Sequence, residues 1–238
     1  MAKVWALRIK RISRFHSMVF LVVAAIVFGF LGLEFSDELE LVKAPEQPVS
    51  PPPGQVSLVI KVPERILEVY NDGTLWKTYR IAVGTSSTPT PIGEWNIVWK
   101  DYNWGTGFGT RWMGLNVPWG IYGIHGTNKP WSIGKFASHG CIRMRNRDIE
   151  ELFEWVAIGT HVRIEGRPAK VQRVLRYQMT GPDVVVLQIK LKELGYLDGR
   201  ADGIFGKKTE QALVEYQKAN GLEPTGKLDR QTLQRLGI

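Results

Sequence analysis

The only cysteine of this chain lies in a short segment rich in histidine and glycine. The segment reads Ser138-His139-Gly140-Cys141-Ile142-Arg143, and a second histidine, His125, precedes the cysteine by sixteen residues. A thiol acts as an acyl-transfer nucleophile only as the thiolate, so it needs a nearby base or a positive field. His125 can reach Cys141 if the chain between them loops back from the end of a strand. These residues therefore suggest acyl transfer through a cysteine.

The neighbours of the cysteine suit the same chemistry. Gly140 lets the backbone approach a substrate closely, and the amides around Gly140 and Cys141 could face the oxyanion of a tetrahedral intermediate. Arg143 lies on the same side as Cys141 if this piece of chain is extended. There its guanidinium could hold the thiolate or a substrate carboxylate.

Two other interpretations of these residues are a metal site and a structural cysteine. A zinc site could use His125, His139 and Cys141, but no acidic residue lies between positions 102 and 147 to serve as a ligand or general base. Cys141 could also be a buried structural cysteine with incidental histidines nearby. No Gly-rich phosphate loop and no metal-ligand cluster is present in the sequence, so no cofactor is predicted.

The cysteine segment belongs to a region with the period of β-strands. Residues 56–62 and 65–70 alternate or run apolar, Asn71-Asp72-Gly73 is a strong turn signal, and residues 74–84 follow, which predicts a hairpin. Residues 94–100 form a further strand candidate. Residues 101–120 are rich in Gly and Trp with little periodicity, which favours a loop-rich wall.

One helix is predicted in this half of the chain. Asn146 is its expected N-cap, Asp148 and Glu150 lie in its first turn, and Gly159 is the expected stop. Residues 160–166 are predicted to form a closing strand that contains His161, which we interpret as structural. The region is thus mainly β with one short helix.

The period changes to 3.6 residues in the C-terminal part. Residues 184–194, 209–219 and 230–236 are predicted helices, the last capped by Asp229. A Gly-Thr-Leu pattern recurs at an offset of 23 residues, so we expect a repeated loop-then-helix unit and a small three-helix module. Residues 198–209 begin like a calcium loop but lack the acidic ligands, and a tight turn is the better interpretation.

The N-terminus has the pattern of a signal anchor. Residues 15–33 contain no Asp, Glu, Lys or Arg, follow a basic segment and precede an acidic one. As a helix this segment would span roughly 28 Å, close to the hydrocarbon thickness of a bilayer. A cleaved signal peptide is the alternative, but no small-x-small site follows the apolar run. The basic segment should stay cytoplasmic, so everything after the anchor is expected outside.

Composition is consistent with a tethered globular protein. Residues 45–54 contain five prolines and favour an extended spacer. The chain of 238 residues is long enough for a hydrophobic core, and its single cysteine excludes an intramolecular disulfide framework. The net charge of +8 suggests a polyanionic partner, either an anionic cell wall or nucleic acid. Nucleic acid is disfavoured if the basic C-terminal part lies outside the membrane.

Two family resemblances can be stated on these residues. His125-Gly126, the segment from Ser138 to Arg143 and the Thr90-Pro91-Ile92-Gly93 loop resemble the L,D-transpeptidase catalytic domain of the YkuD family. The C-terminal part separately resembles peptidoglycan-binding domain 1, through Leu194-Gly195-Tyr196 and residues 202–206. The first resemblance implies an L,D-transpeptidase-like β-sandwich with one short helix, and the second a small all-α module.

The resemblance also implies roles and a reaction. Cys141 would be the nucleophile and His125 its base, oriented by a backbone carbonyl. His139 would join them as a catalytic residue, and the remaining positions of the motif would shape the oxyanion and substrate site: Gly126, Ser138, Gly140 and Arg143. The implied reaction is attack on a peptidoglycan tetrapeptide stem with release of D-Ala, followed by a 3→3 cross-link.

The implied organisation has six parts: a basic cytoplasmic tail (1–14), the transmembrane anchor (15–33), an acidic and Pro-rich spacer (34–54), the catalytic domain (55–166), a linker (167–179) and the wall-binding module (180–238). The expected partner is peptidoglycan, through stems and glycan, without nucleic acid. The expected location is the cell membrane with the folded domains outside, in cell wall biogenesis and cell shape. An L,D-carboxypeptidase, a stem-peptide cysteine peptidase and an inactive wall-binding protein remain the alternatives.

Overall fold

The computed structural model describes residues 50–238. Ten strands and one α-helix lie between residues 56 and 165, and three α-helices lie between residues 182 and 236. The strands are β1 (Val56–Lys61), β2 (Ile66–Asn71), β3 (Thr74–Arg80), β4 (Val83–Gly84), β5 (Gly93–Tyr102), β6 (Arg111–Leu115), β7 (Tyr122–His125), β8 (Phe136–Ser138), β9 (Ile142–Arg143) and β10 (His161–Glu165). The helices are α1 (Asn146–Trp155), α2 (Pro182–Glu193), α3 (Lys207–Ala219) and α4 (Arg230–Leu236), and a single 3₁₀ turn covers Pro130–Ser132.

Eight strands form one sheet in the order β3-β2-β1-β10-β5-β6-β7-β9. The pairs β1–β10 and β7–β9 are parallel, and the other neighbours are antiparallel. β4 and β8 form a separate parallel pair. The mainly β catalytic domain with one α-helix is therefore confirmed.

The β-sandwich expectation needs correction, because the domain is not built from two sheets of similar size. Strand β5 is ten residues long and pairs with β10 through its first half and with β6 through its second. A register shift between Ile97 and Trp99 separates the two halves. Strand β5 thus belongs to both parts of the sheet, which would be separate sheets in a sandwich. The register shift bends and twists the sheet locally.

The predicted hairpin is confirmed, and it anchors the end of the spacer. Asn71 pairs with Thr74, and Asp72 and Gly73 between them have φ of 48° and 78°, as a tight two-residue turn requires. The amide of Gly54 donates to Asn71 Oδ1 at 2.7 Å, and the amide of Gln55 donates to Asp72 Oδ1 at 2.9 Å. These two bonds attach the end of the predicted Pro-rich segment to the hairpin.

The loop expectation for residues 101–120 was wrong in part, because β6 lies within it. Trp112, Met113 and Leu115 are all buried there, so their burial does not alternate along the strand. Gly114 lies against the ring of Trp99, where a Cβ atom would come within 2.7 Å of Cδ2. A strand covered on both faces has no two-residue period, and periodicity alone misses it.

The cap of helix α1 also differs from expectation. The residue at the N-cap is Arg145, which makes no side-chain cap bond, and Asn146 is the first helical residue. The Asn146 Oδ1 atom instead accepts a bond from the amide of Thr127 at 2.9 Å. The helix ends at Trp155, before the predicted Gly159 stop. The Asn146 side chain, predicted to cap the helix, thus bonds instead to the chain that follows β7.

The three C-terminal helices lie where they were predicted, within two residues at each end. Asp229 caps α4, since its Oδ1 accepts from the amide of Thr232 at 2.8 Å. The 23-residue repeat is visible in the polar core of the module. The Oε1 atom of Gln188 accepts a hydrogen bond from the amide of Gly203 at 2.7 Å, and its Nε2 atom donates to Thr209 Oγ1 at 3.2 Å.

Gln217 makes the corresponding hydrogen bonds in the second unit. Its Oε1 atom accepts from the amide of Gly226 at 2.9 Å, and its Nε2 atom donates to Thr232 Oγ1 at 3.1 Å. Gly226 and Thr232 follow Gly203 and Thr209 by the offset seen in the sequence. Both glutamine side chains are buried with their polar atoms hydrogen-bonded, so each holds a loop onto its helix without leaving an unpaired group.

Residues 1–49, which include the predicted transmembrane segment 15–33 and most of the spacer, lie outside the described residues. Between residues 50 and 238 no helix combines the length and the apolar character needed to cross a membrane.

Candidate active site

Cys141 and His125 are brought together by two short parallel strands. Ile142 of β9 pairs with Ile124 of β7, and Arg143 pairs with His125. Cys141 directly precedes β9, so the cysteine loop runs beside the end of β7 that carries His125. The predicted return of the chain to a strand end is confirmed.

The thiol of Cys141 lies over the beginning of β7. Its Sγ atom is 4.0 Å from the carbonyl oxygen of Ile121, and the side chain is partly exposed. Burial among protein atoms raises the pKa of the Cys141 thiol, while the amide of Gly123 and the charge of Arg143 lower it by less. The thiol is therefore protonated at rest, and attack on a carbonyl needs a base.

His125 is buried to 2% exposure, and its tautomer is set by the backbone. Its Nδ1 atom lies 2.5 Å from the carbonyl oxygen of Gly126. A carbonyl only accepts, so Nδ1 carries the hydrogen and Nε2 of the neutral ring keeps its lone pair. Burial lowers the pKa of His125 to about 4, against smaller raising effects of the Gly126 and Phe108 carbonyls. The ring is thus a neutral imidazole at rest.

Two aromatic rings enclose the histidine. Trp112 is stacked on it at 5.4 Å between centroids with an interplanar angle of 19°, and Phe108 meets it edge-on at 4.9 Å. Trp112 in turn contacts Trp104 at 4.1 Å and Trp99 at 6.1 Å. This aromatic cluster excludes water from His125 and accounts for its low pKa.

Neither Trp112 nor Phe108 was predicted from the sequence to contact His125. The pair Trp112–His125 is in register between β6 and β7, so the contact depends on a strand that the sequence pattern did not reveal. The available signal was composition, since the Trp-rich stretch directly precedes the histidine.

The side chain of Ser138 holds the cysteine loop in shape. Its hydroxyl donates to the carbonyl oxygen of Cys141 at 2.6 Å and accepts from the amide of Gly140 at 3.1 Å. Ser138 is buried to 1% exposure, so it supports the loop from beneath. The oxyanion role expected for the Gly140 amide is corrected by this bond, because that amide already has an acceptor. The amide of Cys141 is the remaining candidate.

The other predicted site residues divide between the surface and the support. His139 is exposed and lines the cleft described below. Arg143 donates from Nη1 to the carbonyl of Ala137 at 3.1 Å, and its charge acts on both His125 and Cys141. Gly126 is buried against Asn146 and orients the histidine through its carbonyl. It supports the base and leaves substrate contact to its neighbours.

Gly140 is required by its conformation and its surroundings. Its φ is +111°, and a Cβ atom there would lie 2.7 Å from Cε1 of Tyr122. Gly140→Ala should lower stability by about 1–3 kcal/mol from backbone strain alone, and it should lower turnover further by displacing the cysteine loop. Thermal unfolding and the rate of Cys141 alkylation measure the two effects.

Gly159→Ala is the matched control for this substitution. Gly159 has φ of +93° with no atom within 4 Å of an added Cβ, so it carries the strain without the collision. It should lose stability by a similar strain and keep full alkylation. Equal alkylation rates in the two variants would contradict a fitted contact at Gly140.

A cleft of about 1,090 Å³ begins at His139 and Tyr122. Its floor and sides include residues 84–92 between β4 and β5, with Thr90 buried and accepting the amide of Gly84 at 2.8 Å. The family-like Thr90-Pro91-Ile92-Gly93 loop thus lies beside the cysteine loop. Among residues 50–238 no group of three His, Cys, Asp or Glu side chains is arranged to hold a metal ion.

The pKa of His125 predicts an unusual pH profile. A general base must be neutral, and an ordinary histidine is largely protonated below about pH 6. Because the pKa of His125 lies near 4, we expect kcat/KM to hold from neutral pH to about pH 5 and to fall as pH drops through about 4. Initial rates measured between about pH 3.5 and 8 test this prediction.

Trp112→Leu provides the structural control for the profile. Without the stacked ring, water reaches His125 and its pKa rises, so the acid limb should move toward that of an ordinary histidine near 6.5. An acid limb near 6.5 in the unmodified protein would show that the aromatic cluster does not desolvate the base.

Comparison with known proteins gives two family matches. The family model of the L,D-transpeptidase catalytic domain, YkuD, matches residues 55–164, and that of a peptidoglycan binding domain matches residues 180–236. Both resemblances expected from the sequence are thereby confirmed.

Individual relatives agree with these matches. The L,D-transpeptidase YkuD of Bacillus licheniformis is 49% identical over 107 residues, which are 45% of this chain and 64% of the relative. The L,D-transpeptidase YqjB of Bacillus subtilis is 34% identical over 130 residues, covering 48% of this chain and 74% of the relative. The solved catalytic domain of the Enterococcus faecium L,D-transpeptidase is 26% identical, with a TM-score of 0.41, over 47% of this chain and 97% of that one. The chain thus spans less than two thirds of the B. licheniformis relative.

Proposed function

Since this chain belongs to the L,D-transpeptidase family, we propose that it forms 3→3 cross-links in peptidoglycan through a thioester on Cys141. The observation that carries the proposal is the parallel pairing of β7 and β9, which sets His125 opposite Arg143, two residues along the chain from Cys141. The donor is a tetrapeptide stem, and the acceptor is the side-chain amine of the third residue on a neighbouring stem.

In the first step Cys141 Sγ attacks the carbonyl carbon of the third stem residue. The thiol proton passes to Nε2 of His125, since Nδ1 already carries the hydrogen that is bonded to the Gly126 carbonyl. The tetrahedral intermediate then breaks its peptide bond, and His125 returns the proton to the amine of D-Ala as it leaves. The product is a thioester between Cys141 and the stem.

In the second step the acceptor amine attacks the thioester carbonyl. It loses a proton to His125, the carbon–sulfur bond breaks, and the thiol of Cys141 is regenerated. The amide of Cys141 is the proposed oxyanion donor, since the Gly140 amide is bonded to Ser138. Arg143 stabilises negative charge at the sulfur, and His139 at the cleft entrance is proposed to contact the substrate.

A neutral thiol and a neutral imidazole at rest suit this two-step reaction. A preformed thiolate would be available to water-borne oxidants throughout the resting time, whereas the buried pair ionises only when a carbonyl is in place. The positive charge that His125 acquires in the transition state is transient, and it is returned to the leaving amine.

We further propose that the predicted anchor at residues 15–33 holds the enzyme at the outer side of the cell membrane. The Pro-rich spacer would then place the catalytic domain within reach of the wall. The family match of residues 180–236 supports peptidoglycan as the polymer that the C-terminal module contacts.

Mass spectrometry of the purified chain with disaccharide-tetrapeptide tests the proposal. We expect a mass increase on the peptide containing Cys141 that corresponds to the stem without D-Ala, and a dimer joined through two third residues. Both products should form without added metal.

The alternatives give different products in the same experiment. Disaccharide-tripeptide without dimer would indicate an L,D-carboxypeptidase, and cleavage elsewhere in the stem would indicate a cysteine peptidase. No adduct with any stem, together with retained binding to wall fragments, would indicate a binding protein and overturn the proposal.

A further inference from the structure

The C-terminal module is joined to the catalytic domain by a compact polar contact at Glu94 of β5. Lys192 of α2 donates from Nζ to both carboxylate oxygens of Glu94, at 2.6 and 2.8 Å. The amide of Ala201 donates to Glu94 Oε2 at 3.3 Å, and the amide of Glu94 donates to the Ala201 carbonyl at 3.0 Å. The main chain and a half-buried ion pair thus bind the same segment.

Apolar packing continues from this contact into the core of the catalytic domain. Val185 and Ala201 of the module are buried in the same cluster as the catalytic core, and Ile189 packs against it. Gly203 lies directly against the ring of Trp119, which in turn meets Trp95 edge-on at 5.4 Å. Shared burial of this kind opposes free movement of the module on its linker.

The docked module contributes to the cleft beside the cysteine loop. Pro182, the first residue of α2, and residues 167–169 of the linker line the same cleft as His139 and Tyr122. Trp119 lines it as well, at the point where the two domains meet. The cleft is therefore only completed when the module is docked.

The size and lining of the cleft indicate what this wall contacts. Its volume of about 1,090 Å³ lies at the upper end of the range for ordinary small-ligand sites. His139, two residues before Cys141, and Tyr122, which lies against Gly140, border the cleft next to the cysteine loop. The lining also offers the apolar surfaces of Trp119, Pro168 and Pro182 and the cation of Arg167, which suits a sugar ring next to a carboxylate.

We propose that the docked module is a fixed wall of the cleft that selects stem peptides still attached to their glycan. The inference rests on the proposed function, and it deepens it by naming the part of the substrate that the module contacts. Glu94 and Lys192 are then specificity-determining residues, since their ion pair holds the wall in place. They touch neither the thiol nor its base.

Lys192→Glu tests the inference by facing the Glu94 carboxylate with a second one. We expect faster hydrogen exchange at the amides of Glu94 and Ala201, which report docking. KM for disaccharide-tetrapeptide should rise about tenfold with kcat changed less than about twofold, and KM for free tetrapeptide should stay constant. Lys192→Arg keeps the ion pair and should keep both docking and KM.

Lys190→Glu is the matched control, because it makes the same charge change on the same helix. Lys190 pairs within the helix with Glu193 at 3.8 Å and takes no part in the contact with Glu94. A second undocking variant, Ala201→Glu, inserts a larger charged group into the buried contact. The two undocking variants should agree.

Undocking without a change in the KM ratio of the two substrates would overturn the inference, as would protected amides in both undocking variants. Failure of the proposed function is distinguishable, since it would leave the unmodified chain inactive on both substrates while the exchange pattern stayed as described.

Discussion

Replacing Cys141 with alanine is expected to remove all covalent chemistry from this protein. Without the sulfur no thioester forms, and turnover of disaccharide-tetrapeptide should fall by about 10⁴–10⁶-fold, the loss typical when an enzyme's nucleophile is removed. The chain contains no second cysteine that could take over. Turnover and intact mass after incubation with substrate measure the result.

The fold should survive this substitution. The thiol is partly exposed, and its polar contacts are a long one of 4.0 Å to the Ile121 carbonyl and the amide of Gly123. The loop is held by Ser138 through the backbone of Gly140 and Cys141, which alanine retains. Thermal unfolding close to that of the parent chain and unchanged binding to wall fragments are the controls. Substantial turnover by Cys141→Ala would refute the mechanism.

His125→Gln is expected to have the second largest effect. Glutamine retains polar atoms but cannot accept and return a proton, so kcat/KM should fall by about 10²–10⁴-fold at neutral pH, the usual contribution of a general base. Since the pKa of the Cys141 thiol is raised by burial, the thiolate will not form unaided. Part of the activity should therefore return as pH is raised.

His161→Gln is the matched control for this variant. His161 lies on β10, in the middle of the same sheet and outside the cysteine loop and the cleft. His161 lies near Glu94 and Lys192 of the module contact, and loss of that contact is expected to leave free tetrapeptide unaffected. The same chemical change there should therefore leave kcat/KM for free tetrapeptide within about twofold, as expected for a substitution away from the reacting groups. Parent-like turnover in His125→Gln would mean that another group accepts the proton.

Much of the local structure could be predicted from the chain because its causes are local. A turn at Asn71-Asp72-Gly73 needs positive φ at two positions, and only neighbouring residue types decide that. The three C-terminal helices follow from periodicity and from the Asp229 cap, and the 23-residue repeat anticipates the matching glycine and threonine positions, Gly203 and Thr209 with Gly226 and Thr232. The association of His125 with Cys141 was also accessible, because their residue types and spacing are specific.

The remaining features depend on contacts between distant parts of the chain. Strand β6 carries no alternation, and its Trp112 becomes the wall of His125 only through pairing with β7. The Gly140 amide was available for an oxyanion in the sequence and is occupied by Ser138 in the fold. Local pattern cannot assign a hydrogen-bond partner when several acceptors compete, and packing decides among them.

The same distinction holds for the two domains. The sequence by itself predicted a cysteine-based acyl-transfer domain and a separate three-helix module, because each has its own period and its own motifs. That the module lines the cleft beside the cysteine loop was decided only by tertiary structure. Glu94 and Lys192 are 98 residues apart in the chain, and no local propensity couples them. Their pairing follows from burial of Ala201 and Val185 in the shared core, which brings the two charges together.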